Sequence, residues 1–448
     1  MDNVTIARAT MGTSLAFHIV FAVLGVGMPL LMSVAEGLAL WRHDETWLLL
    51  ARRWAKAFGI LFAVGAVSGT VLSFELGLLW PRFMAFSGSL IGLPFTAEGF
   101  AFFIEAIFLG LYLYGWDRLP PLYHWLASIP IAVSGAASSL FVVMTNAWMN
   151  TPAGFRLGPD GQLQGVNPLA AALNPSTPTE DPHMLVSAYV VTGFLFAAVY
   201  AAGLLRGRSD PVHRRGLATG MAMGLVAIGL AGITGDASAR FIYQAQPAKF
   251  AAMEGVYRSQ NGAPITIGGI PSNSQHRVLY GLEIPGALSW LATFDLNAPV
   301  KGLDSFPAGD RPNPVLVHFS FDSMVGLGTL LGFLALAFWG LVIWRRKIPL
   351  GRPLLWAVVL AGPASVVAME SGWFVTEFGR QPWIVYGILR TSDAATSAPG
   401  LGPFFLIFLV IYGGLALTTA RLLLASARHS RRRQTGAERS SGRRRMPS

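Results

Sequence analysis

The sequence has no cysteine among its 448 residues. That excludes disulfides, thiolate zinc sites, cysteine-ligated iron–sulfur clusters, covalent c-type heme and a cysteine nucleophile together. Any redox centre must be held by His, Met or carboxylate. Charge is scarce too. Asp, Glu, Lys and Arg make up 12% of the chain, against roughly 25% in an ordinary globular domain. A water-soluble protein of this size needs more charge to cover its surface. Hydrophobic residues reach 53% and mean hydropathy is +0.51, the composition of an all-α polytopic membrane bundle. The opening MDNVTIARAT has no basic n-region and no small-residue cleavage site near the first apolar run, so no cleaved signal peptide is expected.

The formal charge is +10, and from Arg428 onward eight Arg stand against one Glu. The last 21 residues thus carry +7 of it. Behind a membrane span, such a tail reads as a solvated cytoplasmic segment near anionic lipid, with no nucleic-acid partner implied.

A spanning helix needs about 20 mostly apolar residues. Nine runs qualify: Thr13–Leu40, Ala57–Trp80, Pro94–Trp116, Tyr123–Trp148, Met184–Leu205, Leu217–Asp236, Val315–Trp344, Leu354–Trp373 and Leu401–Leu424. Arg42, Arg52, Arg53, Lys56, Arg118, Arg206, Arg208, Arg214, Arg215, Arg345, Arg346, Lys347, Arg352 and the tail fall on one side. With that side cytoplasmic, the N-terminus is outside and the C-terminus inside, as an odd number of spans requires. Two outer connections are long, Asn150–His183 and Ala237–Pro314. Connections of that length are usually functional or disordered. The second, with its NGAPITIGGIPSNS stretch, is expected to be a mobile, irregular lid. No repeat relates the two halves, which weakens a repeat-built transporter.

Ionisable groups inside spans are expensive and mark function. The runs carry His18, Glu75, Glu98, Glu105, His318, Asp322 and Glu370, with His183 at the outer mouth of the fifth and Glu377 just beyond the eighth. Glu98 and Glu105 are seven residues apart, so they share one helix face about 10 Å from each other. By the derived topology His18, Glu98, His183, Met324 and Glu377 lie at a common outer depth, with Glu105 near mid-depth. A shared depth among distant segments suggests one polar site. Imidazole and thioether suit heme iron, and carboxylates can ligate a high-spin iron or relay protons. His318 is expected at the interface, and His43, His124, His213 and His429 in cytoplasmic solvent. These residues alone support a membrane redox or proton-translocating protein.

Three stretches go further: GDASARFIYQAQPAKFAAMEG from Gly235, GWFVTEFGRQPW from Gly372, and AEGFAFFIEAIFLGLYLYGWDRL from Ala97. Together they resemble the heme-bearing subunit I of cytochrome bd quinol oxidases, over the whole chain through the ninth span. The resemblance implies that His183 and Met324 are the axial ligands of a low-spin heme b. It implies His18 as a ligand in the high-spin pair, to heme d or a third heme b in its place. Glu377 would ligate the high-spin heme b, with Glu98, Glu105, Trp373 and Arg380 beside the hemes. Lys249 and Glu254 match the quinol-binding positions of the loop at 237–314. Lys56, Glu75, Asp117, Ser138 and Glu105 match a proton path from the cytoplasm, with Asp117 as its mouth. Asn146, Trp148 and Asn150 match a further motif, in which Asn150 stands where Gln is commoner.

The implied activity is oxidation of quinol at the outer face and reduction of O2 to water with cytoplasmic protons, generating proton motive force without a pump. The implied partners are a membrane subunit II and a one-helix accessory subunit, and the implied location is the bacterial cytoplasmic (inner) membrane. The loop length matches the short-loop class. One departure stands out: Asp322 occupies the place, two before Met324, where many relatives carry Arg. An ionised carboxylate there is expected to lower the potential of the low-spin heme, and the change suggests a divergent, cyanide-insensitive branch. The alternatives are a b-type cytochrome without O2 chemistry, against which no span carries a pair of histidines, and a proton-coupled transporter.

Overall fold

The computed structural model describes residues 2–443, with side chains to residue 426. The chain starts with four long helices, α1 (Asn3–Arg42), α2 (Glu45–Leu79), α3 (Pro81–Gly115) and α4 (Pro121–Asn150). A connection with hairpin β1 (Arg156–Leu157)–β2 (Leu163–Gln164) and short α5 (Pro168–Ala172) follows. Next come α6 (Thr177–Leu205), α7 (Pro211–Ala245) and short α8 (Pro247–Met253). The long loop then holds β3 (Gln260–Asn261), β4 (Ile265–Ile267), β5 (Ile270–Ser272), β6 (Arg277–Leu279), β7 (Leu282–Ile284), α9 (Ala287–Thr293) and β8 (Pro299–Val300). The chain ends with α10 (Pro314–Arg345), α11 (Arg352–Arg380), β9 (Trp383–Val385), β10 (Leu389–Arg390), α12 (Thr391–Ala394) and α13 (Leu401–Arg443). Among the described residues nine helices are long and apolar enough to span a bilayer, one for each apolar run.

Their starts are written in the sequence. Proline opens α3, α4, α7 and α10, where its missing N–H would be unpaired anyway. Asp2, Asp44, Asp210 and Asn313 cap α1, α2, α7 and α10 by accepting a first-turn N–H. The helices outrun the apolar runs, because hydropathy reports only the part that sits in hydrocarbon. α3 begins at Pro81, not Pro94. α6 begins at Thr177, so His183 lies within the helix and not at its mouth. α7 runs to Ala245, so the long connection starts there and not at Ala237. That connection is not an irregular lid: it consists of α8, α9 and three short antiparallel pairings. The basic tail continues the backbone of α13 to Arg443, while its side chains, His429 included, and residues 444–448 lie outside the description.

The packing centre is α6, the most buried of the spans, which contacts α1, α4, α7 and α11. Glycines let it approach α7 closely. A Cβ on Gly193 would lie 2.6 Å from the Gly224 nitrogen and 2.9 Å from the Gly220 carbonyl oxygen. This is the small-residue packing of membrane helices, where no hydrophobic force drives association.

His124 departs from expectation. It is buried, not solvated, with Nδ1 2.5 Å from Glu36 Oε1 on α1 and Nε2 2.9 Å from the Tyr112 carbonyl oxygen on α3. A carbonyl only accepts, so Nε2 carries a hydrogen. His213 is half-buried and pairs with Asp210 at 2.7 Å, while His43 is exposed. Removing one member of the buried His124–Glu36 pair strands the other. His124→Leu is expected to destabilise the fold by about 3–5 kcal/mol. The double variant His124→Leu/Glu36→Leu should recover much of that loss. Thermal unfolding of the purified protein checks both, and equal losses in the two variants would argue against the pairing.

Candidate functional site

The helices line an open cavity of about 2090 Å³, beyond the roughly 300–1,000 Å³ of an ordinary small-molecule site. Its wall carries His18, Glu98, Glu105, His183, Met324 and Glu377, from five different helices. Trp373, Arg380, Ser138 and Glu254 also line it. The polar site expected from shared depth is therefore one space.

Both histidines are held alike. On α2, the Ser68 hydroxyl donates to the Val64 carbonyl at 2.9 Å. Its oxygen therefore accepts from His18 Nδ1, 2.9 Å away. On α7, the Thr234 hydroxyl donates to the Leu230 carbonyl at 3.0 Å and accepts from His183 Nδ1 at 3.0 Å. Fixing the hydrogen on Nδ1 leaves the Nε2 lone pair free, the form an imidazole ligand needs. A glycine follows each hydroxyl residue. A Cβ on Gly69 would lie 3.0 Å from His18 Cε1, and one on Gly235 would lie 3.2 Å from His183 Cε1. Gly372 leaves the same clearance at Met324, whose sulfur would be 2.8 Å from an added Cβ. Ser68 and Thr234 were not singled out from the sequence. The signal was there as S-G and T-G pairs inside apolar runs, but nothing local ties them to a distant histidine.

At the end of α11, Glu377 accepts from Asn146 Nδ2 at 2.7 Å and from Arg380 Nη2 at 2.6 Å. Arg380 is 1% exposed, and its Nε and Nη1 have no partner among the described residues. Glu377 meets its charge, and the idle N–H groups call for further acceptors. Deeper in the cavity, Glu105 is buried with Oε1 unpartnered beside Gly135 of α4. Among the described residues no three His, Asp or Glu side chains converge to chelate a bare ion. Single ligands spread along a large wall suit axial ligation of planar cofactors instead.

The remaining residues divide between wall and surroundings. Glu254 is buried on the wall, and burial together with the Asp322 carboxylate pushes it up to about 8. Lys249 lies behind the wall, 1% exposed, its stem packed on bare Gly379 and Nζ 3.4 Å from Asn150 Oδ1. Burial pushes it down to about 8 against the pull of Glu180. Five residues of helix turn the two side chains about 140° apart, so they do not converge on one point. Asn150 also donates to Glu180 at 3.0 Å and accepts from Gln246 at 3.2 Å. Glu180, on the cavity wall one turn before His183, was missed in the sequence because it precedes the apolar run and was read as part of the outer connection.

Glu75 is buried off the wall and accepts from Ser14 at 2.6 Å. Asp117 and Lys56 line a separate pocket of about 460 Å³ at the basic face. Asp117 pairs there with Arg52 at 3.3 Å, not with its neighbour Arg118, and both side chains are exposed enough for the pair to contribute little. Asp322 does not line the cavity; its Oδ2 accepts from the Gly268 N–H at 2.8 Å.

The family described as cytochrome bd terminal oxidase subunit I matches residues 6–431. The chain is 37% identical over 431 residues to the putative cytochrome bd menaquinol oxidase subunit I of Bacillus subtilis (strain 168), covering 95% of this chain and 96% of that protein. It is 29% identical over 478 residues to the cytochrome bd-II ubiquinol oxidase subunit 1 of Escherichia coli (strain K12), covering 91% and 93%. Among solved structures, the bd oxidase from Geobacillus thermodenitrificans superposes with a TM-score of 0.91 at 38% identity, covering 96% of this chain and 99% of that one.

If Thr234 fixes the tautomer of His183 as a ligand, Thr234→Val should weaken retention of a cofactor held by that ring by about 10- to 100-fold. Absorbance of the bound cofactor per protein after serial dilution checks this. Unchanged retention would remove Thr234 from the site.

Proposed function

The chain belongs to the cytochrome bd terminal oxidase subunit I family, and from that membership we propose how its own side chains divide the work. It is a multi-pass membrane protein and a subunit of a respiratory terminal oxidase, a quinol:O2 oxidoreductase with heme cofactors that works in complex with other subunits. The observation that carries the finer reading is the single cavity whose wall holds His18, His183, Met324 and Glu377.

The residues present fit heme. Two imidazoles offer free Nε2 lone pairs, a thioether faces bare Gly372, and the idle donors of Arg380 suit a propionate carboxylate. His183 and Met324 would hold a low-spin heme b. His18 would ligate one high-spin heme, heme d or heme b in its place, and Glu377 the other. Bound heme iron supplies electron relay and O2 reduction. Trp373 packs on the cavity wall beside them.

Quinol oxidation is assigned to the long connection after α7. A quinol gives up protons as it loses electrons, and Glu254, buried on the cavity wall, would accept one. Lys249 would act from behind, its charge offset through Asn150 by Glu180. Protons for O2 reduction would come from the opposite face, through the pocket of Lys56 and Asp117, then Ser138, to Glu105 on the cavity wall. Glu75 sits off the wall and would serve that supply indirectly. With the basic face cytoplasmic and the long connections outside, uptake and release on opposite sides separate charge without a pump. The membrane is then the cytoplasmic membrane, and the partners are subunit II and a one-helix accessory subunit.

Two outcomes test this. Glu105→Gln should stop O2 reduction while quinol still reduces the low-spin heme, as stopped-flow spectra would record; normal turnover would exclude Glu105. For Glu254 the raised value means the carboxyl holds its proton below about pH 8 and is free to accept one above it. Quinol oxidation should therefore rise toward alkaline pH in the wild type. Glu254→Gln should lose most activity and that pH dependence, with dithionite still reducing all hemes. An unchanged pH profile in the variant would reassign the group.

A further inference from the structure

The long connection is not only folded but fastened. β4 with β7, and β5 with β6, form one two-stranded ribbon, interrupted at Gly268–Gly269 on one strand and Tyr280–Gly281 on the other. Gly268 and Gly269 have φ of 68° and 92°. A Cβ on Gly269 would lie 2.5 Å from Val278 Cγ1 and 2.7 Å from the Leu279 carbonyl oxygen. The bend thus requires glycine, and it sets Gly268 onto α10. There the Gly268 N–H donates to Asp322 Oδ2 at 2.8 Å, and its carbonyl oxygen lies 3.3 Å from His318 Nε2.

His318 holds a second segment. Its Nδ1 donates to the Met253 carbonyl oxygen at 2.7 Å, and Met253 ends α8 immediately before Glu254. His318 is 1% exposed, so it is not the interfacial residue the sequence suggested. Asp322 Oδ2 lies 3.5 Å from its Nε2, one turn along α10. Two side chains of one helix therefore grip both stretches that bracket Glu254 in the chain: the end of α8 and the glycine bend. Neither side chain lines the cavity.

We infer that His318 and Asp322 are positioning residues for quinol oxidation, anchoring α8 and the glycine bend to α10 and so holding Glu254 on the cavity wall. This rests on the reading of the Glu254 segment as the quinol site. It also revises the role expected for Asp322. A carboxylate bonded to a loop amide and turned off the cavity wall acts on the loop, where the resemblance implied a charge that tunes the heme.

The test uses the purified, heme-loaded complex with Asp322→Ala, Asp322→Asn and His318→Ala. Loss of a hydrogen bond to a charged acceptor should speed amide hydrogen exchange around Gly268 by about tenfold or more in Asp322→Ala. Quinol KM should rise by a similar factor with kcat less affected, and the low-spin heme midpoint should not move. Asp322→Asn keeps an oxygen to accept the Gly268 N–H and should recover most of both effects. His318→Ala should speed exchange from residue 253 onward. Unchanged exchange in both alanine variants overturns the anchor, and a shifted midpoint with unchanged exchange returns Asp322 to the heme. Faster exchange with unchanged KM upholds the anchor and overturns the assignment of quinol to this segment.

Discussion

A guanidinium buried to 1% exposure must be neutralised where it stands, and the loop-face half of this molecule is arranged around that requirement at Arg380. Glu377, one turn back on α11, takes one of its nitrogens. Asn146 holds Glu377 from α4, and Asn150, one turn on, reaches Glu180 of α6 and Lys249 of α8. Two cations and two carboxylates from two spanning helices and a loop element are thus joined through the amides of a third helix. In a low-dielectric interior such a network rigidifies what it joins, because each member is costly to leave alone. Even so it does not exhaust Arg380, a residue of the same cavity wall as the histidines, whose Nε and Nη1 have no partner among the described residues. The charges of the network balance, so what Arg380 still lacks is hydrogen-bond acceptors for two of its nitrogens.

The same economy governs the histidines. Each depends on a hydroxyl whose own hydrogen is spent on a carbonyl one turn back, which makes it an acceptor and sets the ring's tautomer. Each also depends on a glycine that leaves room for the ring. At His183 this couples to the fold. α7 can present Thr234 and Gly235 to α6 because Gly193, Gly220 and Gly224 bring the two backbones together farther along the same interface. Packing and ligand geometry are here one arrangement.

Much of the site was legible before any fold was known. Buried carboxylates and histidines in apolar runs stand out because a membrane interior penalises them, whichever way they point. What the sequence left hidden shares a cause. Lys249 and Glu254 sit five residues apart in one motif, yet face opposite sides of the wall. His318 was expected at the interface and His124 in cytoplasmic solvent, yet His318 bonds the Met253 carbonyl 65 positions away and His124 the Glu36 carboxylate 88 positions away. Ser68 and Thr234 were marked only by the glycine that follows each, and nothing local ties them to a distant histidine.

The sequence by itself determined how many helices cross the bilayer, where proline and capping residues start them, and which polar side chains are taken into the apolar interior. Those properties are local: each follows from a short window and its transfer cost from water. Only the tertiary structure decided which of those side chains share a wall and which bond elsewhere. A helix apolar on every side has no amphipathic stripe to reveal its inward face, so direction is settled by close packing against neighbours far away in the chain.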